Sequence, residues 1–307
     1  MSWRVLDISQ DDRFLHFERN AIVICSAGEE LGRLHLPDIN SVIIHGHQCC
    51  LTVSLLVKLA EEGIPLTVCS GNHMPVSISL PVTGHHLQSR RARLQADCKR
   101  PLEKQIWKQI VARKILEQAA TLSLQSDTMG HSLAKLAKIV KSGDPENVEA
   151  RAARIYWQQL LGRNFRRDRN FPGLNSHLNY GYIIIRSAIA RALTAAGLIP
   201  ALGIHHKNAQ NGFCLADDMM EVFRPYVDAL VYFNRTIWTE ELSPDAKSQL
   251  AGLVMQSVSV SGENTDLFRA MTLFVQSFVD ILEIGDGKLL FPDHTAAHYL
   301  KQQELQL

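Results

Sequence analysis

The chain has 307 residues, of which 46% are hydrophobic and 21% are charged. This balance is typical of a globular protein with one large domain or two ordinary domains, and it excludes a chain dominated by disorder. The formal net charge is only +1, so the total charge says little about binding partners. The distribution of charge along the chain says more.

Cysteine usage and hydropathy indicate the compartment. The six cysteines form no CxxC pair, and the adjacent Cys49 and Cys50 cannot bridge to each other without strain. The first residues contain no apolar signal core, and the most apolar later stretch, residues 182–204, is interrupted by Arg186 and Arg191. We therefore expect a cytoplasmic protein with reduced thiols and no membrane span.

Residues 1–80 have the pattern of a small mixed β domain. Short apolar runs are separated by glycine and by aspartate or asparagine turn signals, which is typical of strands. One helix is predicted over residues 50–62, because Gly63 and Pro65 follow as helix-ending residues. The clearest predicted strands are residues 21–25, 41–44 and 66–69.

After a linker at residues 81–89, the pattern changes to long stretches with apolar residues three and four positions apart. Residues 90–307 are therefore predicted to form a nearly all-helical domain. The predicted fold class is α+β, with a small N-terminal mixed β domain followed by a larger all-α catalytic domain. The clearest helices are expected at residues 102–122, 132–140, 147–161, 180–196 and 265–283.

Charge is segregated along the chain. Residues 85–114 carry nine basic and two acidic residues, residues 151–186 carry seven and one, and residues 236–307 carry four and ten. Each basic residue alone is as consistent with a solvated face as with DNA, but the two groups together favour phosphate binding because the acidic residues lie elsewhere. The DNA-binding candidates are Arg90, Arg91, Arg93, Lys99, Arg100, Lys104, Arg163, Arg166, Arg167 and Arg169.

One candidate metal ligand, Glu149, lies near a predicted helix start. Asp144 is expected as the N-cap with Pro145 at the first helical position, so Glu149 falls in the first two turns. A carboxylate there more often complements the helix dipole than binds a metal. By itself, Glu149 therefore indicates a helix start more strongly than a site.

The other candidate ligands follow in the second half of the chain. Asp218 and Glu221 have the spacing of a capping box, which explains both without a metal, but the same spacing places both carboxylates on one helix face. His205 and His206 follow an apolar run that ends at a turn. If these groups meet Glu149 in space, they form a carboxylate and histidine site for a hard divalent metal.

Three strings of sequence carry a family resemblance. They are Gly-Asp-Pro-x-Asn-x-Glu-Ala-x-Ala-Ala-Arg-x-Tyr-Trp at 143–157, Leu-Asn-Tyr-Gly-Tyr at 178–182, and Gly-x-His-His followed by Leu-Ala-x-Asp-x-Met-Glu-x-Phe-Arg-Pro at 203–225. In order and spacing they resemble Cas1, the integrase family of CRISPR adaptation, and most closely its type II form.

The resemblance implies a ligand set. The metal ligands of the family fall on Glu149, His205 and Glu221, with Asp218 as an auxiliary carboxylate. His205 is chosen over His206 because the family motif ends in Gly-x-His. Three further residues in or beside the motifs receive supporting roles: Asp217 is interpreted as an N-cap, and Arg154 and Arg224 are expected to orient the ligand carboxylates by hydrogen bonds.

The resemblance also implies an activity. The family joins a short DNA fragment, the prespacer, to a CRISPR array: the 3′-hydroxyl of the fragment attacks a phosphodiester of the leader-proximal repeat. The family also cleaves branched DNA. Two carboxylates and one imidazole suit Mg²⁺ or Mn²⁺. The expected partners are a second copy of this chain joined through the β domains, the companion protein Cas2 in a heterohexamer, and the type II effector nuclease.

Two other functions compete with the integrase. A catalytically silent nucleic-acid-binding scaffold would have the same basic groups, with its carboxylates serving only as helix caps. A helical metal phosphohydrolase of the HD type requires an adjacent His-Asp pair, which this sequence does not contain.

Overall fold

The computed structural model of the protein describes residues 4–70, 75–126, 128–238 and 241–298. The N-terminal part contains two four-stranded sheets, one in the order β1-β5-β7-β8 and the other in the order β4-β3-β2-β6. Each sheet mixes parallel and antiparallel pairs. The elements are β1 (Arg4–Ile8), β2 (Phe14–Glu18), β3 (Ala21–Ser26), β4 (Glu29–His35), β5 (Ile39–Ile44), β6 (Cys50–Leu51), α1 (Val53–Glu61), β7 (Leu66–Cys69) and β8 (Pro75–Ser79).

The predicted strands are confirmed, and the first helix begins later than predicted. Cys50 and Leu51 pair with β2 as the short strand β6, so they are not helical. The helix starts after Thr52, whose side chain accepts a hydrogen bond from the Leu55 amide as an N-cap. The central strand β5 is buried along its whole length and supplies much of the N-terminal core.

The rest of the chain is mainly helical, which confirms the α+β fold class. One feature departs from the predicted all-helical pattern, because residues 257–266 form a β-hairpin. The elements are α2 (Gln88–Ala96), α3 (Arg100–Leu122), α4 (His131–Lys138), α5 (Val148–Leu160), α6 (Leu174–Ala195), α7 (Cys214–Met220), α8 (Arg224–Asn234), α9 (Pro244–Gly252), β9 (Ser257–Val260), β10 (Glu263–Asp266) and α10 (Leu267–Ile284).

Helix α6 is the central element of the helical part. Seventeen of its 22 residues are buried, because α7, α8, α9 and α10 all pack around it. A helix that is buried on nearly every side lies in the middle of a bundle. None of the described helices has both the length and the apolar character needed to cross a bilayer.

Polar contacts attach one of the N-terminal sheets, through β1 and β5, to α6. The Tyr180 hydroxyl donates to Asp7 on β1 at 2.5 Å, and Arg191 donates to the carbonyl oxygens of Ile39 and Asn40 at 3.1 and 2.6 Å. Satisfied buried polar groups fix a unique arrangement more strictly than apolar contact alone. The sheet region therefore has a defined position relative to the central helix.

Gly181 lies where α6 packs closely against α8 and α9. A Cβ atom at this position would overlap Val227 Cγ1 of α8 and lie 3.1 Å from Leu250 Cδ2 of α9. We predict that Gly181→Ala lowers the free energy of unfolding by about 1–3 kcal/mol, although alanine has the higher helix propensity.

The matched control is Gly252→Ala, where an added Cβ meets nothing within 4 Å. Urea unfolding monitored by circular dichroism measures both variants, and the control is expected to be neutral or slightly stabilised. Equal stability of Gly181→Ala and wild type would contradict the close packing of α6.

Candidate metal centre

Glu149 is the second residue of α5, and the chain before it is built to hold the helix start. The Asp144 carboxylate accepts hydrogen bonds from the amides of Val148 and Glu149 at 2.9 and 3.0 Å, and the Asn147 side chain accepts one from Ala150. The helix therefore begins after Asn147, and the prediction of Asp144 as the N-cap residue was wrong by three positions. Asp144 still caps two of the free amides.

Glu221 lies at the junction between α7 and α8. Arg224, in the first turn of α8, donates to Glu221 Oε1 at 2.5 Å, and its guanidinium also lies 4.2 Å from the ring centroid of Tyr182. The predicted orienting role of Arg224 therefore has a direct contact. Although burial raises the pKa of Glu221, Arg224 and Lys114 outweigh it and hold that pKa at about 2.

Lys114 brings the two glutamates together. Its ammonium lies 2.6 Å from Glu149 Oε1 and 2.5 Å from Glu221 Oε2, and only 8% of the residue is exposed. Burial alone would lower the pKa of this lysine, but the two carboxylates raise it above its ordinary value. Carboxylate oxygens from two distant parts of the chain thus converge on one cation.

Asp218 is not a helix cap, and its carboxylate accepts hydrogen bonds from the histidine loop. It is fully buried inside α7, whose N-cap is Phe213, so the capping-box interpretation was wrong. Its Oδ2 accepts hydrogen bonds from the backbone amides of Ile204 and His205 at 2.8 and 2.9 Å. Its Oδ1 accepts hydrogen bonds from the backbone amide and the ring Nδ1 of His206 at 3.2 and 2.5 Å. These four donors use the acceptor sites of the carboxylate, so it holds the histidine loop.

The two histidines have different environments. The His205 ring stacks on Trp107, with centroids 4.1 Å apart and planes 4° apart, and burial lowers its pKa. The His206 ring is half-exposed, lines the same cavity as Glu221, and has its pKa raised by the hydrogen bond with Asp218. A carboxylate on one ring nitrogen is the usual support of a metal-binding histidine.

Asp217 was predicted as an N-cap and Arg154 as a residue that orients the ligand carboxylates. Asp217 instead lines the cavity that also contains Glu221 and His206. Asp217 lies inside α7, so its interpretation as an N-cap was wrong. Its carboxylate accepts two hydrogen bonds from the guanidinium of Arg186 in α6, at 2.6 and 3.1 Å. Arg154 is exposed on α5 and, in the described part of the chain, forms no ion pair with Glu149 or Glu221.

Cationic cavities lie on both sides of the histidine loop. A cavity of about 520 Å³ is lined by Arg167, Arg169 and Arg186 together with His206 and Glu221. A second, of about 240 Å³, has Arg100, Lys104 and Lys207 beside His205 and Trp107. The two basic groups predicted from the sequence, one at 85–114 and one at 151–186, therefore meet at the same place.

Two of the predicted DNA-binding arginines are engaged within the protein. Arg91 is buried and donates to the Ala196 carbonyl at 2.8 Å. Arg167 donates to the side chains of Asn175 and Asn179 at 2.9 and 2.7 Å, although it also lines the larger cavity. The remaining candidates are exposed: Arg90, Arg93, Lys99, Arg100, Lys104, Arg163, Arg166 and Arg169.

The donor chemistry fits a hard divalent ion. Carboxylate oxygens of Glu149 and Glu221 already converge on the ammonium of Lys114, and an imidazole lies beside Glu221 in the same cavity. Within the described ranges, no three His, Cys, Asp or Glu side chains are close enough to form a ready-made metal cluster. The arrangement is thus two carboxylates around a protein cation, with His206 nearby.

Lys114 and Trp107 belong to the site but were not among the residues predicted from the sequence. They lie seven residues apart in α3, on the face that also buries Ile110, Val111 and Ile115. A lysine at a position where the helical period requires an apolar residue was the available signal, because such a buried charge needs partners.

A buried polar cluster lies directly behind the site. The Asp228 carboxylate of α8 accepts hydrogen bonds from the hydroxyls of Tyr156, at 3.0 Å, and Tyr182. Burial raises the pKa of Asp228 to about 6, although the tyrosines and Arg224 oppose this. The Tyr182 ring in turn supports Arg224, so this cluster positions the guanidinium that contacts Glu221.

Comparison with known proteins identifies the family. The family model of "CRISPR associated protein Cas1" matches residues 6–255. The "CRISPR-associated endonuclease Cas1" of Neisseria meningitidis serogroup C (strain 8013) is 36% identical over 281 residues, which are 91% of each chain. The chain therefore belongs to the Cas1 family, which confirms the resemblance found in its motifs.

Solved structures share the fold. A "Casposase bound to integration product" matches with a TM-score of 0.79 at 20% identity, over 99% of each chain. A chain of the "Cas6-RT-Cas1--Cas2 complex" matches with a TM-score of 0.74 at 20% identity, over 93% of this chain and 35% of that one. At these identities the likeness concerns the fold.

The raised pKa of Asp228 predicts a pH effect on stability. The carboxyl takes up a proton near pH 6 in the folded protein and near pH 3.8 in the unfolded chain. The free energy of unfolding therefore rises as the pH falls from about 6 to about 4, and above pH 6 the ionised Asp228 destabilises the fold. Relative to Asp228→Asn, which cannot ionise, wild type should be about 2 kcal/mol more stable at pH 4.5 than at pH 7.

Urea unfolding of both proteins at the two pH values measures this difference. Asp280→Asn, which removes an exposed carboxylate of α10, controls for the loss of one negative charge. A difference between wild type and Asp228→Asn that does not change with pH would show that Asp228 is charged in the folded protein throughout.

Proposed function

We propose that this protein is a metal-dependent DNA endonuclease and integrase of CRISPR adaptation. It would join the 3′-hydroxyl ends of a prespacer to the leader-proximal repeat of a CRISPR array. The observation that carries this proposal is the convergence of Glu149 and Glu221 on one cation at a cavity lined by arginines. Membership of the Cas1 family and the fold shared with a casposase bound to integration product support it.

The proposed ligands are Glu149, Glu221 and His206. His206 replaces the predicted His205 because its Nδ1 is held by Asp218, which leaves Nε2 as the ring's free lone pair, whereas the His205 ring lies flat against Trp107. Asp218 is proposed as the residue that positions this loop rather than as a ligand.

The ion proposed here is Mg²⁺ or Mn²⁺, and when bound it would polarise a phosphoryl oxygen and stabilise developing negative charge. The chain's own residues position the reactants. Arg224 fixes the orientation of Glu221, and Arg169 lines the adjoining cavity where a phosphate can be neutralised.

The joining reaction is balanced without a cofactor that supplies energy. The attacking 3′-oxygen forms one phosphorus–oxygen bond as another breaks, and the released 3′-oxygen of the repeat takes up the proton that the attacking hydroxyl loses. The number of phosphodiester bonds is conserved. Hydrolysis of branched DNA follows the same course with water as the attacking group.

The proposed DNA path crosses the histidine loop between its two cationic cavities. Exposed Arg100 and Lys104 lie on one side and Arg169 on the other, and exposed lysines and arginines neutralise backbone phosphates. The basic group of Arg169 continues on the surface with Arg163 and Arg166. The basic group of Arg100 and Lys104 continues with Arg90, Arg93 and Lys99.

The proposed assembly is a homodimer that combines with Cas2 in a heterohexamer and contacts a type II effector nuclease. Exposed apolar side chains on α1 (Val53, Leu56 and Val57) and on β2 (Phe14) give the N-terminal region a surface suited to a subunit interface. One solved structure with this fold belongs to a "Cas6-RT-Cas1--Cas2 complex".

A specific observation favours the scaffold alternative. Lys114 neutralises both carboxylates without a metal, as it would in a protein that only binds DNA. That alternative predicts DNA binding without strand transfer, so the two functions are separable by experiment.

Glu149→Ala is predicted to lower joining of a labelled prespacer to a plasmid carrying leader and repeat on the order of 10²-fold or more, with Mn²⁺ and the companion protein present. DNA binding should persist, because Glu149 contributes no positive charge. The matched control is Glu146→Ala, which removes an exposed glutamate three residues earlier. Equal joining by wild type and Glu149→Ala would show that Glu149 is not a metal ligand and only complements the start of α5.

His206→Ala is predicted to lower joining further than His205→Ala in the same assay, because only His206 is supported by Asp218. Circular dichroism controls for folding in both variants, since His205→Ala loses its stacking on Trp107. The opposite order of effects would restore His205 as the ligand.

Arg169→Ala is predicted to weaken DNA binding uniformly across sequences and to reduce the slope of log affinity against log salt concentration by about 1. Fluorescence anisotropy over a salt series measures this slope. Arg19→Ala, in an exposed turn of the N-terminal region, is the control and should leave the slope unchanged. An unchanged slope for Arg169→Ala would remove Arg169 from the proposed path.

A further inference from the structure

Lys114 is a buried lysine at the centre of the site. It projects from α3 on the same face as Trp107, and its side chain lies among elements that bring Glu149 from α5 and Glu221 from the α7–α8 junction. A buried lysine is rare unless it is paired, and this one has two partners.

The charges of this cluster are balanced without a metal. Glu149 and Glu221 supply two negative charges, and Lys114 and Arg224 supply two positive charges within ion-pair distance. Arg224 contacts Glu221 Oε1, whereas Lys114 contacts Glu221 Oε2 and Glu149 Oε1. The ammonium therefore occupies the point where oxygens of the two proposed ligands converge.

A divalent ion cannot share this point with the ammonium. Two cations within coordination distance of the same carboxylate oxygens repel strongly where water is scarce, and the two carboxylates are then outnumbered in charge. Lysine has a flexible four-carbon stem, so its ammonium can leave these oxygens without movement of the α3 backbone.

We propose that Lys114 is the resident counter-cation of this centre, which holds Glu149 and Glu221 together in the metal-free protein and competes with the divalent ion for their oxygens. This inference rests on the proposed function, because it concerns the same carboxylates. It makes Lys114 a positioning residue whose charge limits metal affinity and keeps the metal-free site folded.

Binding of Mn²⁺, followed through the electron paramagnetic resonance signal of the free ion, tests the proposal. Lys114→Met should bind Mn²⁺ at least about tenfold more tightly than wild type, because the competing charge is gone. Lys114→Arg keeps the charge and should stay close to wild type. Lys141→Met, which removes an exposed lysine paired with Glu146, should not change the affinity.

Thermal unfolding gives a second measurement. Without metal, Lys114→Met should unfold at a lower temperature than wild type, since the buried Glu221 and the partly buried Glu149 then share one cation. Mn²⁺ should raise the unfolding temperature of Lys114→Met further than that of wild type. Unchanged or weaker Mn²⁺ binding by Lys114→Met would overturn the proposal, because it would show that Lys114 assists the metal or does not influence it.

The outcomes also separate this inference from the proposed function. If neither wild type nor Lys114→Met binds Mn²⁺, the metal centre itself fails, whereas equal binding by both contradicts only the competition. If Lys114→Met does not fold with or without Mn²⁺, the double variant Lys114→Met/Glu149→Gln decides. Its Glu221 is still neutralised by Arg224, so recovery of the fold supports the counter-cation role and continued failure contradicts it.

Discussion

The rest of the site depends on a cluster of four charges, of which Lys114 and Glu221 are buried and Glu149 and Arg224 are partly buried. Lys114 joins Glu149 to Glu221, and Arg224 holds the remaining oxygen of Glu221, so three separate parts of the chain meet through ion pairs. Buried charges are costly unless they are paired, and removal of one member leaves its partner uncompensated. This requirement fixes the relative positions of α3, α5 and the α7–α8 junction more strictly than apolar packing does.

The histidine loop is held by a second, separate device. The fully buried Asp218 carboxylate accepts three consecutive amides and one imidazole nitrogen, which determines where His206 lies. Basic residues from two distant parts of the sequence line cavities on both sides of that loop. The carboxylates, the imidazole and the cationic surface are therefore assembled by different contacts, although they meet at one place.

The sequence was sufficient for the fold class and the main helices, because hydrophobic period is a local signal. Glu149 and Glu221 were selected through motifs that resemble Cas1, and their carboxylates both contact the Lys114 ammonium. The sequence did not determine the roles of Asp217 and Asp218, since spacing does not reveal which neighbouring element each side chain faces. Lys114 occupies an apolar position of the helical period in α3, but the sequence does not reveal the two carboxylates that pair with it. His205 was predicted as the metal ligand from a motif. The contacts of the two rings favour His206 instead, because its Nδ1 is held by Asp218 whereas the His205 ring stacks on Trp107.

A crystal structure of the protein grown with Mn²⁺, with the ion located by its anomalous scattering, would show directly whether Glu149 and Glu221 bind a metal. We expect one peak within coordination distance of Glu149, Glu221 and His206, with the Lys114 ammonium displaced from both carboxylates. An ammonium that still bridges the two glutamates, with the manganese absent or bound elsewhere, would contradict this expectation.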